Sequence, residues 1–563
     1  MDTQSLNKAV SDLAGAKDKW AHLPIGVRLD YLERVRVLLG QSAEEWVDAA
    51  VAAKGTAGTP LAGEEWISGP YGVLSWINAV MQTLKAVDAG TDPLAGLAVR
   101  QRADGQTVVR VSPYDYQDKL LLNGFGAEVW MTPGITPGTL RADVATKYQE
   151  HDPAGQVALV LGAGNIASIA PLDVLYKLYA DGEVVVLKMN PVNDYLGPVL
   201  EKIFAPLVAD DYLRFVYGGA DVGDYLCTHE LVDTIHMTGS ERTHDAIVYG
   251  TGADAADRKK EDRPRLTKPV TSELGGVGPT IVVPGPWSAA DISFQAEHIA
   301  TQKLHNSGFN CIAAQVLVLP ADWSLSADLI SALRETLRTV QSRPVYYPGA
   351  DDRRAAVGVE YSSAEELGGR TLVCDVDASD SSAYAFTQEF FTPALATTTL
   401  PGADAAEFLR NAVAFANDTL HGTLGANILI HPRTAAALGP ALEDAIADLR
   451  YGTIAVNAWT GVGYNTPRAT WGAFPGHTRD DVQSGIGVVH NALLLGSPQK
   501  TVVTGPFRPF PRSYLHGEFA MSPRPPWFVT NRTAELTGRR LTAFAADGNP
   551  RHLPGIFTSA LRG

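Results

Sequence analysis

Apolar and polar residues follow two periods along this chain, and the change from one to the other outlines its architecture. Residues 5–53 place Val27, Leu29, Leu32, Val35, Leu38 and Leu39, and then Trp46, Ala49 and Val51, at helical spacing. After a turn-rich patch at 55–63, Val73, Leu74, Ile77, Val80 and Leu84 line one face of a helix predicted over 71–87. Residues 106–111 alternate as a strand does, and 132–154, with Pro133, Pro137 and Gly138, reads as a hairpin-like region. From Gly155 the pattern sharpens into predicted strands at 157–161, 183–188, 214–217 and 234–237, separated by helices at 166–180, 196–207 and 222–229. Strands separated by helices mean βαβ units and a parallel sheet, and the unbroken apolar runs are those of strands buried on both faces. A charged stretch at 254–268 reads as an exposed insertion or boundary. A second α/β region follows over 272–456, with strands at 280–283, 315–319 and 428–430 and helices at 292–306 and 325–340. Residues 501–563 are punctuated by proline and show little periodicity.

Composition narrows the class. A chain of 563 residues corresponds to about two to four domains or one interleaved unit. With 45% hydrophobic and 19% charged residues it is globular, which excludes wholesale disorder. A net charge of −16 offers no basic field, so neither nucleic acid nor a membrane surface is an expected partner. Cys227, Cys311 and Cys374 are too few for a disulfide framework, and no metal site is expected. The N-terminal residues show no secretory signal, and the apolar stretch 157–179 is interrupted by Asn165, Asp173 and Lys177, so a cytoplasmic location is expected.

Three segments can carry chemistry. Gly162-Ala163-Gly164-Asn165-Ile166-Ala167, between a predicted strand and helix, satisfies G-x-G-x-x-A, which places a pyrophosphate on a helix N-terminus. The next strand, however, ends in Lys188-Met189-Asn190-Pro191, without the acid that holds a ribose, and a tight turn with no ligand is the alternative. Cys311 closes the loop Gly308-Phe309-Asn310-Cys311; a lone cysteine is commonly a small buried residue, whereas a loop position favours a nucleophile. Glu273, in Ser272-Glu273-Leu274-Gly275-Gly276, is a turn acid, or a general base if burial raises its pKa.

Taken together, Lys188, Thr238-Gly239-Ser240, Glu273-Leu274-Gly275-Gly276, Gly308-Phe309-Asn310-Cys311 and Glu389-Phe390-Phe391-Thr392-Pro393 stand in the order and spacing of the aldehyde dehydrogenase superfamily. Segments 414–424, 452–457 and 483–487 extend the resemblance, which runs over roughly residues 20–490 and leaves the C-terminal region outside. It implies an α/β fold: a Rossmann-like cofactor domain (1–131 and 155–270), an α/β catalytic domain (271–480), a small β oligomerisation arm (132–154 and 481–500) and a C-terminal extension (501–563). It also implies that Cys311 attacks an aldehyde as a thiolate, that the Cys311 N–H and the Asn165 side-chain amide hold the oxyanion, and that Glu273 activates water against the thioester. NAD or NADP would lie against Lys188, Gly239, Ser240, Leu274, Glu389 and Phe391. Pro191 replaces an acid common three positions after the lysine, so NADP acceptance is expected. The segment 163–167 lacks the family's prolines, and Arg242–His244 replaces an expected glycine, which marks an outlying member. The implied partners are a small aldehyde, apolar or aromatic given Trp459, Tyr464, Trp471 and Phe474, and further copies of the chain in a homodimer or homotetramer. The C-terminal extension is expected to pack across the subunit interface. A CoA-dependent acylating enzyme and a non-catalytic protein on the same fold are the alternatives.

Overall fold

A computed structural model describes residues 2–563. Helices Thr3–Ala21, Ile25–Lys54 and Gly72–Asp88 form where the apolar spacing places them. Their buried residues, among them Val35, Leu39, Trp46, Ile77 and Leu84, join a core that includes Val157–Val160 and Val184–Leu187 of a six-stranded sheet. In spatial order that sheet runs Gly485–Ile486, Val270–Leu274, Thr234–Gly239, Val157–Leu161, Val184–Lys188, Leu213–Val216, all parallel but the first. The chain order therefore reverses beside Val157–Leu161. At such a reversal successive crossovers leave for opposite faces, and a crevice opens at the carboxyl ends of the strands.

The second sheet has eleven strands. Its centre is seven parallel strands, from Pro498–Thr504 through Thr453–Val456, Gly425–Leu429, Gly278–Val282, Ala314–Pro320 and Ala394–Leu400 to Thr371–Val373. Gly126–Met131, Thr107–Ser112 and Val99–Gln101 add antiparallel to the first of these, and Glu365–Glu366 closes the other edge.

Two sequence expectations change. Residues 99–131, expected with the cofactor region, extend the catalytic sheet instead. Residues 132–154, expected as a strand-bearing arm, form two 3-10 turns and a single bridge from Val144 to Leu495. Pro133 and Pro137 have no N–H to donate to a ladder, whereas the flanking strands Gly126–Met131 and Pro498–Thr504 pair with each other over their whole length. The extension 501–563 also packs onto its own chain. Phe507 packs on Trp287 with ring centres 5.1 Å apart, and Phe528 stacks on Phe294 at 5.2 Å.

This extension contains two helices that the sequence pattern did not reveal, Ala534–Asp547 and Leu553–Ala560. The first crosses the N-terminal helices at backbone distance: a Cβ on Gly63 would lie 2.4 Å from the Ala534 carbonyl carbon, and one on Gly538 2.7 Å from Trp66 Cβ. Small residues at such a crossing carry no apolar signature. The charged stretch is an exposed short helix, Ala255–Lys260, whose Lys259 pairs with Glu241 and Asp245 on helix Glu241–Tyr249 at 3.1 and 2.8 Å. Among the described residues no helix is long and apolar enough to cross a membrane.

The extension is locked by a buried ion pair. Arg508 donates to both Asp291 oxygens at 2.8 and 3.1 Å and to Glu518 at 3.0 Å, and Asp291 also caps its helix through Ser288. Against its burial, Arg508 and Ser288 hold the Asp291 carboxyl down at about 2. Arg508→Ala leaves that buried carboxylate with Arg512, at 2.5 Å, as its remaining cation, and unfolding in denaturant at neutral pH should show a loss of about 1.5–3 kcal/mol, the worth of hydrogen bonds to a charged group. Because the acid is depressed in the folded state, its contribution is present above the unfolded value near 3.8 and is lost as pH falls towards 2, so wild type and variant should converge over that window. A difference independent of pH would show that the side chain packs rather than pairs.

Candidate active site

The crevice at the strand-order reversal is a cleft of about 810 Å³. It gathers eight of the nine residues expected from sequence: Asn165 from the loop after Val157–Leu161, Lys188, Gly239 and Ser240 from the ends of neighbouring strands, Glu273, Cys311, Glu389 and Phe391. Leu274 is the exception. Its side chain is buried with Met237 and Val482, and its N–H donates to the Ser484 carbonyl. In a parallel strand Glu273 and Leu274 face opposite sides, so only the glutamate can reach the cleft.

Cys311 follows a strained turn. After helix Ala289–Leu304 the chain passes through Asn306 (φ 51°), Ser307 (φ 59°) and Gly308 (φ 83°). Left-handed backbone at the two non-glycine residues costs about 1–3 kcal/mol each, so the surroundings must hold it. The Asn306 N–H donates to Glu64 Oε2 at 2.8 Å, and its side-chain amide donates to the Asn165 and Phe309 carbonyls, both at 3.0 Å. Lys54 Nζ donates to Glu65 at 2.8 Å, to the Asn165 carbonyl at 3.0 Å and to Asn306 Oδ1 at 3.1 Å, while the Tyr346 hydroxyl lies 2.9 Å from each of the last two and donates its one hydrogen between them. Against its burial, Glu64 is held at about 2 by Arg343, which donates to both its oxygens, and by His305. A Cβ on Gly308 would lie 3.0 Å from Thr392 C and Pro393 N, so this turn also docks on the Glu389–Pro393 segment.

The Cys311 thiol lies 3.7 Å from Glu273 Oε1, which also accepts the Trp471 indole N–H at 2.6 Å; Glu273 Oε2 is buried and unpartnered. Burial, with Glu273 and Glu389 adding, pushes the thiol pKa far up, and burial with Asp173 pushes Glu273 up to about 8. Both groups therefore keep their protons at neutral pH, and the carboxyl is the first to yield one. Asn165 Nδ2 donates one hydrogen to the Phe309 carbonyl at 3.0 Å, an orientation that fixes the amide beside the cysteine loop.

Glu389 lies against Gly275, where a Cβ would come within 2.2 Å of its carboxylate, so the glycine is a steric requirement of this approach. Glu389 Oε1 has no partner. Burial, opposed by Lys303 and Arg353, raises Glu389 to about 8, and burial lowers Lys303 to about 7. Arg353 holds Phe391 through its carbonyl at 3.2 Å and lies over its ring.

The far end of the cleft has a helix terminus and mixed charge. Ser240 caps helix Glu241–Tyr249 by accepting the Thr243 N–H at 3.2 Å, and Arg242 and Thr243 line the same wall. Burial lowers the Lys188 pKa, opposed by Asp221 and Asp194. The loop Gly162–Gly164 lacks prolines but is braced by side-chain amides, from Asn190 to the Gly162 carbonyl at 3.2 Å and from Asn193 to the Ala163 carbonyl at 2.8 Å. Cys227 is buried in the helical core, and Cys374 lies by Arg334 and Glu365, away from the cleft. Sequence reasoning missed Lys54, Glu64, Asp221 and Arg353, and placed Trp471 only among substrate-pocket aromatics, not against Glu273. In a helical pattern the first two look like solvated charges, and only the tertiary fold brings them to the site.

Residues 132–351 match the model of the aldehyde dehydrogenase family. A D-glyceraldehyde dehydrogenase (NADP(+)) of Thermoplasma acidophilum is 32% identical over 145 residues, which are 25% of this chain and 26% of that protein. The dimeric NADP-preferring aldehyde dehydrogenase of Mus musculus is 29% identical over 191 residues, 34% of this chain and 38% of its own. The chain thus spans about a quarter to two fifths of the length of these curated relatives. Solved structures are similar over far more of the chain. The gamma-glutamyl-gamma-aminobutyraldehyde dehydrogenase of Burkholderia cenocepacia superposes with a TM-score of 0.59 at 20% identity, covering 88% of both chains. A mutant aldehyde dehydrogenase C of Pseudomonas syringae, complexed with NAD+ and octanal, gives 0.54 at 19% identity, covering 90% of both. The family match thus lies inside a fold shared almost end to end with solved aldehyde dehydrogenases.

Proposed function

We propose that this protein oxidises an aldehyde to a carboxylic acid with NAD or NADP, through a thioester on Cys311. The observation that carries the reading is the Cys311 thiol 3.7 Å from the Glu273 carboxyl, in a cleft that opens at the strand-order reversal. A dinucleotide suits the rest of that cleft. The N-terminus of helix Glu241–Tyr249 with Arg242 fits a pyrophosphate, Lys188 a ribose, and the unpartnered Glu389 Oε1 beside the space kept open by Gly275 a second ribose. A bound nicotinamide supplies the acceptor for the hydride lost by the substrate carbon.

The protein's own groups supply the rest. Ionised Glu273 takes the thiol proton, and the thiolate adds to the carbonyl carbon. The Cys311 N–H and the second Asn165 amide hydrogen stabilise the oxyanion, neutral donors already aimed in a buried site. After oxidation the carbon is held as a thioester. Glu273 releases the thiol proton to solvent, then takes a proton from the attacking water and returns it to the sulfur as the C–S bond breaks, so that the acid leaves and the thiol is restored. Trp471 keeps the carboxyl in place while its other oxygen stays free for this transfer. The substrate proposed is an apolar or aromatic aldehyde, because Cys311 shares a cluster with Ile312, Trp459, Tyr464 and Trp471. The octanal bound by the Pseudomonas syringae relative is in keeping with that class. A homodimer or homotetramer is the assembly proposed.

Near-ultraviolet absorbance of reduced cofactor, with an aldehyde panel and with or without CoA, tests the activity. Turnover without CoA is expected; strict dependence on CoA would replace hydrolysis by acyl transfer. Cys311→Ala should abolish turnover and keep cofactor binding by calorimetry, and inactivation by Cys227→Ala or Cys374→Ala alone would overturn the assignment.

Glu273→Gln should keep a burst of reduced cofactor of near-full amplitude, slower because the thiol loses its base, while the steady state falls by about 10²–10⁴-fold. The steady-state rate of the wild type should rise with pH through about 8 as Glu273 ionises, and that limb should vanish in the variant. Loss of the burst itself would confine Glu273 to an earlier step.

At the ribose end, Pro191 leaves no acid after Lys188, but Asp221 puts a carboxylate on the same wall. Asp221→Asn should raise the kcat/KM ratio of NADP over NAD by about two- to fivefold, the worth of one exposed charge pair. An unchanged ratio would place discrimination elsewhere.

A further inference from the structure

Glu241 opens helix Glu241–Tyr249 between Ser240 and Arg242, which line the far end of the cleft. A carboxylate in the first turn of a helix occupies the positive helix end that a diphosphate would use, and repels it. Two cationic side chains from other elements hold this one. Lys259 of helix Ala255–Lys260 donates to Glu241 Oε1 at 3.1 Å, and His421 Nε2 lies 2.8 Å from Glu241 Oε2. His421 stands in the loop after helix Ala405–Asp418. Its N–H donates to the Phe386 carbonyl at 2.8 Å, and its carbonyl accepts the Val277 N–H at 2.7 Å, next to the glycine pair Gly275-Gly276 on which Glu389 lies. The charged insertion makes a second bridge between the same regions. The Tyr249 hydroxyl donates to Asp262 Oδ1 at 3.3 Å, and Arg479 donates to both Asp262 oxygens at 2.6 and 2.7 Å.

We propose that Lys259 and His421 are positioning residues for the cofactor: they neutralise Glu241 and clasp the helix that faces the pyrophosphate to the wall that carries Glu389, so one network sets both ends of the dinucleotide site. This rests on the reading of the cleft as that site. Against its burial, His421 and Lys259 hold the Glu241 carboxyl down at about 2, so the acid is ionised throughout the working range. His421 completes the clasp only when protonated. Its hydrogen bond to Glu241 and the charges of Glu241, Asp481 and Glu389 raise its pKa above the usual 6.5, against its burial. His477, the other titratable group beside it, is pushed down by burial and by His421. The share of a raised histidine is complete below 6.5 and is lost as pH rises through its folded value, whereas Lys259, raised as well, keeps its share. Cofactor affinity should therefore fall on the alkaline side through His421.

The test titrates NAD and NADP into wild type and variants by calorimetry at about pH 6 and about pH 9, on either side of the histidine range. His421→Gln should bind about two- to fivefold more weakly than wild type at the lower pH, the worth of one half-exposed charge pair, and equally at the higher. His421→Arg, a cation at both, should match wild type at the lower pH and bind more tightly than it at the higher. Lys259→Ala should weaken binding at both. In a Glu241→Gln background the effect of His421→Gln should disappear. Comparison at each pH removes the titrations of Glu389 near 8 and Lys303 near 7, which wild type and variants share. A His421→Gln loss of equal size at both pH values, or one that survives in the Glu241→Gln background, would overturn the proposal. If neither nucleotide binds wild type at either pH, the dinucleotide reading of the cleft fails and the proposal with it; binding without the pH-dependent difference sinks the proposal alone.

Discussion

The left-handed turn at Asn306–Ser307 is the constraint on which the site depends, because it aims the Cys311 loop into the cleft and cannot hold itself. Its stabilisation comes from far away in sequence, through Lys54, Glu64 and Glu65 at the end of the N-terminal helices and Arg343 and Tyr346 from beyond the catalytic helix. Burial opposes the Lys54 charge, and Glu65 and Glu64 outweigh it, so the lysine stays protonated and donates three hydrogen bonds. The same lysine grips the Asn165 carbonyl, so one buried cation fixes both halves of the proposed oxyanion site. Such a network is strong only when complete, since any missing partner leaves a buried charge uncompensated.

Electrostatics inside the cleft follow from the same dryness. Glu273 and Glu389 are both raised to about 8 by burial, and the thiol is raised further because both carboxylates face it. A base poised near neutrality and a nucleophile that releases its proton only when needed are what one carboxylate serving two proton transfers requires. Trp471 contributes a neutral donor, which orients Glu273 without pulling its pKa back to that of a solvated acid.

The C-terminal region changes the expected roles of the parts. The strand Pro498–Thr504 carries Gly126–Met131 and its neighbours onto the catalytic sheet of the same chain, and the residues after it return to the N-terminal helices. Arg508 with Asp291 fixes the start of that return, and the proline-rich stretch at 523–526 leads Trp527 to the cysteine cluster. The extension thus joins the two ends of the chain beside the apolar cluster that carries Cys311.

The strand–helix alternation from Gly155 was legible because strands buried on both faces must be unbroken apolar runs: Val157–Leu161 appears where predicted, and Val184–Lys188 within a residue of it. Asn165, Lys188, Ser240 and Glu273 were assigned by the order of the motifs that resemble the family and lie at the carboxyl ends of strands, while Cys311 sits in the loop that precedes Ala314–Pro320. The Leu274 side chain faces away from the cleft because the alternation of faces along the strand sends it opposite Glu273, and the C-terminal helices were missed because Gly63 and Gly538 make contact by lacking side chains. Sequence by itself determined the parallel sheets and the residues at their carboxyl edge, because period and turn chemistry are local. Only the tertiary structure decided that Lys54 meets Asn165, that Asp221 stands beside Lys188 and that His421 meets Glu241, because these pairings join segments tens to hundreds of residues apart through burial and charge that no local pattern encodes.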